Sequence, residues 1–123
     1  GEVRTDVGEI RQLPLPDGSS VALNTASAVR VRFDSRERRL LLAAGEALFH
    51  VARAADRPFV VIAGQVVITA VGTILAVRRD AAAVVVLVTE GLVDVADGPL
   101  PPVRLRAVQQ GRFAGPDSSD VLA

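Results

Sequence analysis

The chain has 123 residues, with 14 arginines and no lysine against 14 acidic residues, a formal net charge of +0 and no cysteine. Neutrality removes the global field that would steer it to nucleic acid or to an anionic membrane. The lack of cysteine excludes disulfides, thiolate metal sites and a cysteine nucleophile.

No stretch approaches the roughly 18 to 20 uninterrupted apolar residues of a membrane helix, and the opening GEVRTDVGEI lacks the basic-then-apolar order of a signal peptide. The residues therefore read as one soluble domain, long enough to bury roughly 65% of the surface its unfolded form exposes, and able to be a cut from a longer membrane-bound protein.

Short apolar runs are punctuated by turn residues from the start. EIRQLPL leads into Pro16-Asp17-Gly18 and then SVALN, a strand, tight turn and strand: Pro16 presets φ, Asp17 can bond its own backbone, and Gly18 accepts a positive φ. In AVRVRF, Val29, Val31 and Phe33 alternate with Arg30 and Arg32, which gives one wet face.

Residues 36 to 53 are ambiguous. Leu40, Leu41, Ala44, Ala47, Leu48 and Val51 fall at helical spacing among good helix formers. Gly45 in the middle would cost a helix about 1 kcal/mol, and an equally good period of two sets Leu48 and His50 opposite Ala47, Phe49 and Val51.

Beyond this region the runs are strand-length again: PFVVIA to Gly64, QVVITAV to Gly72, TILAVRR to Asp80, AVVVLV to Glu90-Gly91, LVDVA to Asp97-Gly98, and VRLRAV to Gly111. FVVI at 59–62 and VVVLV at 84–88 have no polar face and are expected to be central strands covered on both sides. Strands at this spacing, rich in Val and Ile, give an all-β fold, a sandwich, barrel or solenoid. The recurring strand-turn-strand echoes have irregular spacing, so there is no fixed-period repeat. From Gly115 the sequence GPDSSDVLA is polar and reads as a tail, so the expected division is a β domain over 1–114 and a linker over 115–123.

No catalytic, cofactor-binding or metal constellation emerges. His50 is the only histidine, which excludes a His-rich metal site or a Ser-His-Asp triad, and it reads as a partly exposed strand residue. Asp17, Glu46, Glu90 and Asp97 each adjoin a glycine, where a turn needs an acceptor or a solvated charge. Gly64 and Gly72 open no phosphate loop, and Gly72 marks a bulge or a close backbone approach. Phe33, Phe49, Phe59 and Phe113 are the only aromatic residues, enough for a core but not for a stacking platform.

The motifs in order are Gly8-Glu9 after Thr5, the Pro16-Asp17-Gly18-Ser19 turn leading to Leu23-Asn24-Thr25-x-Ser27, and Arg39-x-Leu41. Gly45-Glu46-Ala47-x-Phe49-x-Val51, Arg57-Pro58-Phe59-x-Val61, Val71-Gly72-Thr73 and Glu90-Gly91-x-Val93 follow. This string resembles the FecR family from Thr5 to about Phe113.

That resemblance implies a strand-turn-strand around Gly45 and a flattened, solenoid-like stack rather than an immunoglobulin-type sandwich. It also implies the periplasmic part of a bacterial inner-membrane regulator. Such a protein hears a ligand-loaded outer-membrane transporter, typically one for iron or siderophore uptake, and controls an extracytoplasmic-function sigma factor. The sigma-binding segment, the membrane helix and a small C-terminal domain that would meet the transporter are expected to lie outside these residues. Leu48 stands where the family often carries a second aromatic and Leu75 where Phe is common, so a repacked core contact is expected. The alternative from another class is a non-signalling envelope scaffold; neither reading is enzymatic.

Overall fold

A computed structural model describes residues 1–53, 56–115 and 119–122, the last four in backbone only. Within these residues the chain has no helix and thirteen strands. They are β1 (Glu2–Arg4), β2 (Arg11–Pro14), β3 (Ser20–Leu23), β4 (Ala28–Phe33), β5 (Arg38–His50), β6 (Phe59–Ala63), β7 (Val66–Ala70), β8 (Ile74–Arg79), β9 (Val84–Glu90), β10 (Leu92–Asp97), β11 (Val103–Arg106), β12 (Gln110–Phe113) and β13 (Ser119–Leu122).

The ambiguous region is β5, and β5 organises the fold. Its first half pairs with β4 and β6, while its second half pairs with β3 and β8. One layer therefore holds β1, β4, β5, β6, β7, β10 and β11, and the other holds β2, β3, β5, β8, β9, β12 and β13. The two close nearly into a barrel, with β11 lying against β9.

Among these pairs only β5 and β6 run parallel. The antiparallel pairing gives a sandwich-like stack that is nearly closed and barrel-like, whereas a regular solenoid would stack parallel coils.

The helical appearance of residues 36 to 53 has a structural cause. Leu40 and Leu42 point inward in the first half of β5, whereas Ala47 and Phe49 do so in the second. The switch from even to odd positions occurs where Ala28 pairs with Ala44 but Val29 pairs with Leu42, leaving Ala43 as a bulge. A bulge inserts one residue and shifts the inward phase. The helical spacing arises because apolar side chains stand on both faces of the strand: Leu40, Ala47 and Val51 are buried, whereas Leu41, Ala44 and Leu48 are not.

A single core fills the space between the layers. Phe59 of the first layer meets Phe49 of the second edge-on, with centroids 6.3 Å apart, and Phe33 meets Phe59 edge-on at 6.2 Å. Such pairs add about 0.5–1.5 kcal/mol beyond the area they bury.

Three expectations are corrected. The 84–88 strand has strands on both sides but is not covered on both faces: Leu87 is 39% exposed on the outer face. Leu48 also lies on that outer face and makes no core contact, whereas Leu75 is fully buried. In the stretch read as a tail, Ser119–Leu122 form β13, antiparallel to β12.

Candidate functional site

Most of the motif glycines and turns converge at one end of the sandwich. Pro16 and Asp17 occupy the corners of a turn closed by Gly18 N donating to Leu15 O at 3.2 Å, with Gly18 at φ +87° as the following bulge residue. Ser19 N and Oγ both donate to the Asp17 carboxylate, at 3.0 and 2.7 Å, and Ser19 Oγ accepts from Ala52 N at 2.8 Å. Val51 N then donates to Thr73 O at 2.8 Å, and Thr73 Oγ1 donates to Leu92 O at 3.3 Å. A Cβ on Gly91 would lie 2.9 Å from Gly72 O, and one on Gly72 would lie 2.6 Å from Arg53 Cγ. The PDGS, VGT and EG motifs are thus consecutive links of one belt, and Gly72 marks a close approach rather than a phosphate loop.

At the centre of this end is a residue absent from the motif string. Arg38, the first residue of β5, is wholly buried. Its Nη1 donates to Asp17 Oδ2 at 2.5 Å and to Ala52 O at 2.9 Å, and its Nε donates to Arg57 O at 3.2 Å. Its guanidinium carbon lies 5.2 Å from the centre of the Phe59 ring, within cation–π range. The start of β5 and the residues after its end are therefore fastened together across the two layers, which explains why the Arg57-Pro58-Phe59 motif sits here. Among the described residues Arg38 Nη2 has no hydrogen-bond partner.

Burial alone would push the Asp17 carboxyl up, but the hydrogen bonds from Arg38 and Ser19 and the arginine charge outweigh it and hold it below its ordinary value. Asp17 is a turn acceptor, as its place beside Gly18 suggests, and also half of a buried ion pair, which that place does not suggest. Nothing local in the run Arg36-Glu37-Arg38-Arg39 marks Arg38 as the interior residue. Only the even phase of Leu40 and Leu42 points to it, whereas Arg39, the member of the motif string, is exposed.

Gly45 and Glu46 lie at the opposite end, where β5 bends between layers. Gly45 has φ +82°, and a Cβ there would fall 2.0 Å from Ser27 Oγ. Glu46 N donates to Ser27 Oγ at 2.9 Å, Ser27 N donates to Thr5 Oγ1 at 2.9 Å, and Asn24 Nδ2 donates to Glu46 Oε1 at 2.8 Å. Gly8 and Glu9 form the neighbouring loop: Gly8 N donates to Thr25 Oγ1 at 2.6 Å, and Glu9 Oε1 accepts from Asp6 N at 3.0 Å. Asp97, expected in a solvated turn, is buried at this end too, accepting from Gln65 Nε2 at 2.6 Å and from Gly115 N at 3.3 Å.

Phe49 belongs to the core between the two ends, and His50 beside it is exposed on the outer face. Among the described residues no three His, Cys, Asp or Glu side chains are grouped to hold a metal, and no helix is long and apolar enough to cross a membrane. What the arrangement does chemically is to hold turns in fixed relation, with Val71, Leu92 and Val108 exposed at the belt end.

The belt, the bend and the order of the motifs define a family domain. The chain belongs to the FecR family, whose model, described as FecR protein, matches residues 1–94. No curated protein matches it. Among solved structures it is similar to a candidate anti-sigma factor from Parabacteroides distasonis ATCC 8503, seen in crystal structures at 2.50 and 1.65 Å resolution. Each superposes with a TM-score of 0.86 at 30% sequence identity, over 99% of this chain and 58% of that one. The chain thus spans a little more than half the length of that protein.

Proposed function

We propose that this chain is the periplasmic signal-relay domain of a membrane-spanning regulator of the anti-sigma type. It would couple an outer-membrane transporter, of the iron or siderophore uptake class, to an extracytoplasmic-function sigma factor. The observation that carries this reading is the likeness of the whole chain to a candidate anti-sigma factor at 30% identity, in a chain of the FecR family.

The domain works without catalysis, by protein contact and by holding geometry. A relay must differ in its contacts between two states, since a domain that binds equally in both shifts nothing. Sigma-factor binding belongs to a cytoplasmic segment beyond these residues, and membrane attachment to a helix beyond them.

The test is deletion of residues 5 to 113 from the full-length protein, read with a sigma-dependent reporter. The response to external ligand should vanish, with the reporter held in one state, while the cytoplasmic segment still captures its sigma factor. A deletion variant that responds normally would refute the relay and leave an envelope scaffold as the reading.

A further inference from the structure

The outer faces of the two layers are unlike. Across the first, register places Arg32, Arg39, Val60, Thr69, Asp94 and Arg104 in one row, and Arg4, Arg30 and Arg106 are also exposed there. Across the second, the central row is Gln12, Ala22, Leu48, Ala76, Leu87 and Gln110. Leu48 is 43% and Leu87 39% exposed. They stand above the small side chains of Ala22 and Ala76, which with Ile10 line a groove of about 280 Å³.

We propose that this second face is the contact surface for another copy of the chain, related by a twofold axis that lies between the two facing sheets, parallel to the strands and midway between Leu48 and Ala76. Neighbouring strands are about 4.8 Å apart, so the row has even steps. Rotation about that axis lays Leu48 over the partner's Ala76 and Leu87 over the partner's Ala22. It also brings Gln12 beside the partner's Gln110. Each leucine enters a hole left by an alanine, and the rims are amides that can donate and accept in pairs.

Charge separates the two faces as self-contacts, because an isologous interface doubles whatever charge it carries. The first face sets Arg4, Arg30, Arg32, Arg39, Arg104 and Arg106 against Glu2 and Asp94 and would repel its own copy. Flanking the apolar row of the second face, Arg78 and Arg112 balance Glu46 and Glu90. Six strands and three rows cover roughly 600 Å² per copy, about 1,200 Å² for the pair, which is the low end for a specific interface. The dimer is therefore weak and reversible.

Sedimentation velocity of the 123-residue chain from about 10 μM to about 1 mM, a range suited to a weak interface, should show the mass rising from 12.9 kDa toward twice that value. Ala76→Lys should abolish the rise with an unchanged melting temperature. The double variant Ala22→Cys/Leu87→Cys fixes the register independently. Within one chain these positions are three strands, about 14 Å, apart and cannot bridge, so oxidation should link two chains, whereas Arg32→Cys/Thr69→Cys on the other face should not. A mass constant at 12.9 kDa over the whole range would overturn the proposal and leave the face to a different protein. A rise that survives Ala76→Lys, or a dimer in which the Ala22/Leu87 cysteines do not link chains, would overturn it equally.

Discussion

At the bend of β5, Gly45 and Glu46 are held by Ser27, Thr5 and Asn24 through hydroxyls, amides and backbone groups, and one of these contacts, to Gly45, leaves no room for a side chain. At the belt end, Arg38 holds the same strand's beginning to Ala52 after its end by a hydrogen bond and to the turn at Asp17 by an ion pair largely out of water. Both ends restrain β5 where it passes between the layers, but they fail differently. The bend is a steric fit, sensitive to added volume and indifferent to which charges are present nearby. The belt is an electrostatic clasp, tolerant of exchange for apolar groups but intolerant of losing one partner.

Removing one partner of the clasp should be the most damaging change. Arg38→Met leaves the Asp17 carboxylate buried without its cation and should lower stability by about 3–5 kcal/mol in denaturant melts at neutral pH. At the bend, Gly45→Ala combines a left-handed backbone with a clash against Ser27 and should cost about 2–4 kcal/mol. Gly45→Ala with Ser27→Gly should recover only part of the steric cost, because a Cβ on Gly45 would still lie 2.7 Å from Ser27 Cα. Gly18→Ala has the same backbone penalty in open space, the nearest atom being Ala52 Cβ at 3.9 Å, and should cost only about 1–2 kcal/mol. A Gly18 effect as large as that at Gly45 would mean that crowding is not what sets the bend apart.

Acid should distinguish the ends as well. The folded-state pKa of Asp17 is held below its unfolded value, so its contribution is present above the unfolded pKa of about 3.9 and is lost as pH falls through the folded one. Asp94, lowered by its hydrogen bonds and charge pairing with Arg104, and Asp34 and Asp80, lowered by backbone amides, add to the same limb from the surface. Unfolding free energy should fall on acidification below about pH 4, and Asp17→Asn should flatten that limb at the belt while Ser27→Ala leaves it unchanged. The smallest effect is expected from Leu87→Gln on the outer face, within about 0.5 kcal/mol.

The same contrast explains what was legible in the sequence. The all-β architecture was plain because Val29, Val31 and Phe33, and again Val93 and Val95, alternate with charged residues, and turns fall at glycines such as Gly18, Gly64 and Gly98. The bend was half-legible: Gly45 announced a break in any helix, yet Leu41, Ala44 and Leu48 away from the core completed an apparent helical face with buried Leu40, Ala47 and Val51. Uniformly apolar VVVLV gave no alternation to show that Leu87 faces outward. The clasp was legible from one side only. Asp17 is marked by the turn, whereas Arg38 lies among charged neighbours and is recruited by contacts 14 to 21 residues away in sequence, which no local pattern encodes. In the same way Asp97 reads as a turn residue because its partners, Gln65 and Gly115, are distant.

The claim that the belt is an electrostatic clasp, with the PDGS turn supplying its acidic partner, is tested most directly by a double-mutant cycle on Asp17→Asn and Arg38→Met measured at pH 7 and again at pH 2. At pH 7 the double variant should be more stable than Arg38→Met alone, with a coupling energy of about 2–3 kcal/mol, and at pH 2 the coupling should largely disappear as Asp17 protonates. Additive effects at pH 7, or a coupling that persists unchanged in acid, would contradict the account.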